Sequence, residues 1–156
     1  MSDTIWVVDD DESVRNCLGL MLEDLGYRVK LFGQGKDALS RLDAESPDVF
    51  MIDMRMPEMN GMDLTRAILA KDPQAIVIIL TSSPSIEDAI EAIQIGASDY
   101  LPKPFITAQI QIRLHRLLGK RRLQKRLKMM RMATRVLAET LPVWIILGIL
   151  AARYLR

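Results

Sequence analysis

The run Val49-Phe50-Met51-Ile52-Asp53 constrains this chain most. Four apolar residues lead without a break to one carboxylate, and Pro57 and Gly61 follow in a turn-rich stretch. An apolar run this short, bounded by turn residues, predicts a strand buried on both faces of a parallel sheet. Such a strand tolerates no charge inside it, so Asp53 belongs where the chain leaves the sheet. In open parallel α/β sheets, ligands bind outside the carboxyl ends of the strands. One acid at that point decides nothing. The residues at the equivalent ends of the other strands decide.

Those ends are readable in order. Thr4 to Val8 is a β-branched and aromatic run that ends on Asp9, Asp10, Asp11 and Glu12. Val14, Leu18, Met21, Leu22 and Leu25 then recur at helical spacing until Gly26. Tyr27 to Phe32 alternates as a second strand, Gly33 and Gly35 turn the chain, and Ala38, Leu39 and Leu42 mark a short helix before Ser46-Pro47. After the third strand, Met62 to Ala70 predicts a helix that Asp72-Pro73 ends. Ala75 to Leu80 is the most apolar strand and runs into Thr81, Ser82 and Ser83. Ile86, Ala89, Ile90 and Ile93 line a fourth helix closed by Gly96. Asp99 to Leu101 is a short last strand before Pro102, Lys103 and Pro104, and a long helical pattern starts near Thr107. Strands alternating with helices in this way predict an α/β fold, a parallel sheet with helices on both faces and right-handed crossovers.

Charge divides the chain. Residues 1–119 carry 11 Lys and Arg against 19 Asp and Glu, a net of −8. Residues 120–156 carry 10 against one, a net of +9. An acidic domain followed by a basic appendage is the expected organisation, with the first domain over 1–118 and a helical tail over 119–156. The single cysteine, Cys17, sits on or beside the apolar face of the first helix and is expected as a small core residue. One cysteine forms no intramolecular disulfide, which suits a reducing compartment. The first residues, Met-Ser-Asp-Thr, show no charged region leading into an apolar one, so no secretory signal is expected. Together these features predict a cytoplasmic location, with the inner face of the membrane as an alternative site of peripheral attachment.

The polar strand ends are Asp9 and Asp10, Asp53, Thr81, and Lys103 just past the last strand. In a doubly wound sheet of order 2-1-3-4-5, the first and third strands are neighbours and the crevice opens between them. Asp9, Asp10 and Asp53 then meet. Three carboxylates so close repel and need a cation to stay ionised. Carboxylate, carbonyl and water oxygens suit Mg²⁺ or Mn²⁺ over a soft metal. The Thr81 hydroxyl and the Lys103 ammonium complete a phosphate-sized site. The nucleophile of such a site is a carboxylate and its covalent product an acyl phosphate.

Residues 1–118 resemble the receiver domain of bacterial two-component response regulators. The resemblance rests on Val7-Val8-Asp9-Asp10-Asp11, on Asp53-Met54-Arg55-Met56-Pro57 with Gly61, on Thr81, and on Gly96-Ala97-Ser98-Asp99-Tyr100-Leu101-Pro102-Lys103-Pro104-Phe105. The last of these is similar to the receivers of nitrogen-regulation activators. The resemblance implies the flavodoxin-like five-stranded order 2-1-3-4-5. It implies Asp53 as phosphoacceptor, with Asp10 and Asp53 as side-chain ligands of Mg²⁺, Asp9 acting largely through water, and the Arg55 carbonyl as backbone ligand. It implies that Thr81 bonds the phosphoryl group, that Lys103 pairs with Asp53 or its phosphate, and that Tyr100 swings inward when Thr81 moves. It also implies a cis Lys103–Pro104 bond, and a sensor histidine kinase or phosphotransfer protein as partner.

Each of these residues alone has a plainer reading: a solvated strand end for Asp9 and Asp10, a strand-end hydroxyl for Thr81, a surface charge for Lys103, packing for Tyr100. Their joint occurrence at the ends of the right strands outweighs those readings. Asp11 stays open between the acidic loop and the start of the first helix. A hydrolase of the haloacid-dehalogenase type also uses a strand-end Asp, but needs a second Asp two residues on, where Arg55 stands. A phosphorylation-independent scaffold on the same fold is the other alternative, disfavoured by the intact acid, hydroxyl and lysine set.

The tail matches no effector domain. Lys120 to Arg135 is basic and helical in propensity, with Leu123, Leu127, Met130, Leu137 and Leu141 at spacings of three to four. The stripe shifts phase near residue 120. Leu141 to Ala152 is free of charge but includes Pro142 and Gly148. This is short of the about 18–20 residues that span a bilayer. A second subunit or partner protein, an anionic membrane surface, a spanning helix extended back toward Arg135, and a truncated or frameshifted effector are the alternatives for this segment. The expectation leans to protein because Pro142 and Gly148 interrupt the run and Glu139 precedes it. Without a turn motif, specific DNA reading is not expected.

Overall fold

The computed structural model describes the backbone of residues 3–154 and the side chains of residues 3–136. Ten elements follow one another: β1 (Thr4–Val8), α1 (Glu12–Asp24), β2 (Arg28–Phe32), α2 (Gly35–Leu42), β3 (Val49–Asp53), α3 (Gly61–Lys71), β4 (Ile76–Thr81), α4 (Ile86–Gln94), β5 (Asp99–Pro102) and α5 (Thr107–Tyr154). The five strands form one parallel sheet in the order β2-β1-β3-β4-β5, as expected. The chain forms two compact units, Met1–Leu117 and Leu118–Arg156.

β3 and β4 are buried along their whole length, which is why they read as unbroken apolar runs. Side chains alternate between the two faces. Trp6, Val8, Phe50, Ile52, Val77 and Ile79 join Ala38, Leu64, Ile68 and Ala92 of α2, α3 and α4 in one cluster. Trp6 anchors it, its ring centroid 4.8 Å from that of Phe32 and 5.7 Å from that of Phe50. Ile5, Val7, Met51, Ile78 and Leu80 alternate with these along the strands, and they are buried, as are Leu18 and Leu22 of α1 and Ile110 and Leu114 of α5. Each such side chain contributes about 1.5–3 kcal/mol. That layered core fixes the strand ends, and the strand ends carry the polar residues.

The starts of α1, α3 and α4 are set by side-chain caps. Asp11 accepts hydrogen bonds from the Ser13 and Val14 amides, Asn60 from Asp63, and Ser85 from Asp88. Asp11 is therefore the N-cap of α1, which settles its two readings. Gly35, expected in the turn, is the first residue of α2.

One expectation about packing needs correction. Cys17 is exposed, not in the core. It lies one position away from buried Leu18, so its side chain leaves the face that α1 turns inward. Instead it lines an open groove of about 560 Å³ with Val14, Met21, Pro104 and Phe105. The isoleucines of α4 also face outward, Ile86 being 76% and Ile93 70% exposed. Small Ala92 is the buried residue of that helix, and partly buried Ile95 packs on the core just beyond it. The largest side chains of α4 thus mark its outer face.

α5 continues past the first unit to Tyr154. The apolar run Leu141–Ala152 lies, as to its side chains, outside the described residues. Among the described residues, no helix is long and apolar enough to cross a membrane.

Candidate functional site

The site lies at the carboxyl ends of the central strands. Asp53 is the last residue of β3 and pairs in register with Leu80 of β4. Asp9 directly follows β1, its amide held by the Phe32 carbonyl at 3.1 Å. β1 and β3 are hydrogen-bonded neighbours, so the two acids arrive side by side. Both carboxylates are buried, Asp9 completely. Lys103 reaches them from the far side of the sheet, its own amide bonded to the Thr81 carbonyl at 2.6 Å.

The Lys103 ammonium donates to Asp9 Oδ2 and to Asp53 Oδ1, each at 2.6 Å. The remaining oxygens are held by the backbone. Asp9 Oδ1 accepts from the Asp11 amide at 3.0 Å, and Asp53 Oδ2 from the Arg55 amide at 2.7 Å. Burial pushes the Asp9 carboxyl above the usual carboxylate range, against the opposing pull of Lys103. Burial alone depresses the Lys103 ammonium, but its bonds to Asp53 and Asp9 outweigh that and hold it above the ordinary lysine value. One cation between two buried acids leaves a surplus of negative charge.

Thr81 ends β4, is buried, and its hydroxyl accepts from the Ser83 amide at 3.2 Å. Tyr100 packs against the core cluster, and its buried hydroxyl has no hydrogen-bond partner among the described residues. The Lys103–Pro104 peptide is cis, as the resemblance implies. Asp10 is exposed at the rim, outside the group formed by Asp9, Asp53 and Lys103. Arg55 is exposed as well. Among the described residues, no three His, Cys, Asp or Glu side chains stand together as a ready metal cluster. The donor chemistry nevertheless fits a small hard cation: two converging carboxylates with excess negative charge, a third acid one residue from Asp9, and a nearby main-chain carbonyl.

Two positioning residues escape the pattern of strand ends. Arg15 Nη1 donates to the Asp9 carbonyl at 2.7 Å and the Asp10 carbonyl at 3.4 Å, tying α1 to the acidic loop. An arginine in the first turns of a helix, just after an acidic strand end, is the only signal that the sequence holds for it. Gly61 does more than turn the chain. A Cβ there falls 2.2 Å from the Asp53 carbonyl oxygen, so only glycine lets α3 start against the end of β3.

Comparison with known proteins agrees with this arrangement. The family model described as the response regulator receiver domain matches residues 5–115. The DNA-binding transcriptional regulator NtrC of Proteus hauseri is 43% identical over 101 residues, 65% of this chain and 21% of that protein. The C4-dicarboxylate transport regulator DctD of Rhizobium meliloti is 35% identical over 140 residues, 90% of this chain and 30% of its own length. The chain thus spans about a fifth to a third of these two relatives. Among solved structures, the BeF3-activated DrrB receiver domain superposes with a TM-score of 0.70 at 34% identity, covering 76% of this chain and 99% of that one. NtrX from Brucella abortus superposes with a TM-score of 0.78 at 25% identity, covering 83% of this chain and 30% of that one. Fold, strand ends and family match agree, and the chain belongs to the response regulator receiver domains of two-component signalling.

Proposed function

We propose that Asp53 is the phosphoacceptor of this receiver and that its phosphorylation switches a binding surface. The observation that carries the reading is the sharing of one Lys103 ammonium by Asp9 and Asp53 at the mouth of the sheet. The donor is a phosphohistidine on a sensor histidine kinase or phosphotransfer protein. An Asp53 carboxylate oxygen attacks phosphorus, the phosphorus–nitrogen bond breaks, and the imidazole leaves with the electron pair. The Arg55 amide orients the attacking carboxylate. Lys103 is placed to follow the charge from carboxylate to phosphoryl oxygen, and the Thr81 hydroxyl is a further donor. The residues that would hold Mg²⁺ are Asp9, Asp10 and Asp53 with the Arg55 carbonyl. When bound, the ion neutralises charge developing on the transferred group. Chemistry is limited to accepting the phosphoryl group and hydrolysing the protein's own acyl phosphate.

Phosphorylation adds nearly two negative charges at Asp53. Thr81 and Tyr100 relay the change to the face of α4, β5 and α5, where the exposed isoleucines of α4 wait for a partner. The test is labelling with acetyl phosphate in the presence and absence of Mg²⁺. Wild type takes up acid-stable, base-labile phosphate only with the ion, and Asp53→Asn takes up none. Undiminished labelling of that variant sinks the assignment.

A further inference from the structure

We infer that the basic segment of α5, residues 120–136, is an attachment site for an anionic phospholipid surface. The segment holds eight Lys and Arg residues, and the chain has no Asp or Glu between Asp99 and Glu139. Its side chains are exposed, with Arg121 half-exposed. Large apolar side chains are exposed along the same stretch: Leu123, Leu127, Met129, Met130, Met132 and Val136. Soluble surfaces rarely combine so many exposed large hydrophobics with so high a density of one charge.

Three occupants compete, and charge and polarity separate them. In a second copy packed in parallel on the seam of Leu127, Met130 and Thr134, Arg126 meets Arg131 of the other helix, with no acid nearby to pair either. A nucleic acid satisfies the cations but leaves the leucines and methionines uncovered, and residues 120–136 offer no aromatic ring for base stacking. An anionic bilayer satisfies both, taking cations at the headgroups and apolar side chains at the acyl boundary. The chain beyond residue 136 continues in the same sense: Leu141 to Ala152 carries no charge and includes Trp144. The backbone of α5 passes Pro142 and Gly148 as one helix. Residues 120–136 carry eight cations, too many to enter the hydrocarbon core, so this segment lies at the headgroups.

The test is co-sedimentation of the full chain with vesicles of phosphatidylglycerol and phosphatidylcholine, against pure phosphatidylcholine, at low and high salt. The expected result is binding to the mixed vesicles only, weakened by salt. Replacing Lys125, Arg126 and Lys128 together by Gln lowers the partition coefficient on the order of a hundredfold, since each cation near the surface contributes about a factor of five. Replacing Leu123, Leu127 and Met130 by Gln also weakens binding, now with salt dependence retained. Cooperative urea unfolding of the receiver unit serves as the folding control. Equal binding to neutral vesicles, no binding to either kind, or preferential retention on duplex DNA each overturns the inference. Because phosphoryl uptake at Asp53 is measured separately, failure here leaves the receiver assignment untouched.

Discussion

Lys103 stands 2.6 Å from Asp9 and 2.6 Å from Asp53, a single ammonium bonded to both buried acids. The lysine side chain is only 15% exposed, so water screens little of the interaction. Removing it leaves two carboxylates facing each other. Lys103→Met should lose about 3–5 kcal/mol of stability in the presence of a chelator, the typical result of stripping one partner from a buried ion pair. Added Mg²⁺ should restore more stability to the variant than to wild type, because it supplies the missing positive charge. Urea unfolding with chelator and with Mg²⁺ measures both effects. Equal destabilisation in the two buffers refutes the charge-balance account.

Asp9 gives a pH signature. Its carboxyl is held above the usual carboxylate range by burial, so the folded protein binds this proton more tightly than the unfolded chain. Stability from this group is therefore greatest at low pH and is lost as pH rises through its folded value. Lys103 has the same sign in a higher window: its contribution is complete at neutral pH and is lost only as pH rises through its raised value, beyond the ordinary lysine range. Asp9→Asn should raise the urea midpoint at pH 7 and above, and the advantage over wild type should shrink as pH falls through the carboxylate range. An advantage that grows toward acid contradicts the assigned sign.

Gly61 is tested by a single methyl group. Gly61→Ala drives a Cβ into the Asp53 carbonyl, which must move. Overpacking of this kind costs about 1–3 kcal/mol, and here the backbone that gives way is that of the phosphoacceptor. Labelling by acetyl phosphate should fall at least as steeply as stability. A variant that loses stability but labels at the wild-type rate shows that the glycine serves packing alone.

The readability of this chain follows from what each residue contacts. Strand boundaries were legible because β3 and β4 are buried on both faces and admit no polar residue until they leave the sheet at Asp53 and Thr81. Asp9 and Lys103 were legible by position, being polar residues just past the ends of other strands. Cys17 was misplaced because helical spacing does not resolve a residue at the margin of the apolar face, one position from buried Leu18. Arg15 was missed because its partners are main-chain carbonyls, which leave no trace in side-chain pattern.

Tyr100 separates a switch from a packing residue. Its hydroxyl is buried and unpaired, a condition that costs about 1–3 kcal/mol relative to a satisfied group. Tyr100→Phe should therefore keep or raise the stability of the unphosphorylated protein, by up to about 1 kcal/mol. If the hydroxyl serves only in the phosphorylated form, the same variant should label normally and lose stability on phosphorylation relative to wild type. Matched thermal unfolding of labelled and unlabelled protein decides between the roles. A variant that matches wild type in both states leaves Tyr100 as packing.

Arg15 offers the last test, on a residue that touches no acid side chain in the site. Its guanidinium spans from α1 to the carbonyls of Asp9 and Asp10, and lies against Gly33, where an added Cβ falls 3.5 Å from Nη1. It thereby ties the end of β1, the β2–α2 turn and α1 into one corner. A charged donor on a main-chain carbonyl contributes about 1.5–3 kcal/mol, so Arg15→Met, which keeps the aliphatic stem, should lower stability by roughly that amount. The more telling effect is on the ion. Asp10 is exposed and no side-chain partner fixes it among the interactions described, so its position relative to Asp9 depends on the backbone that Arg15 holds. Calorimetric titration should show weaker Mg²⁺ binding in Arg15→Met, with Arg15→Lys recovering part of the affinity through a single donor. Unchanged Mg²⁺ affinity alongside reduced stability confines Arg15 to structural support and removes it from the positioning of the acidic loop.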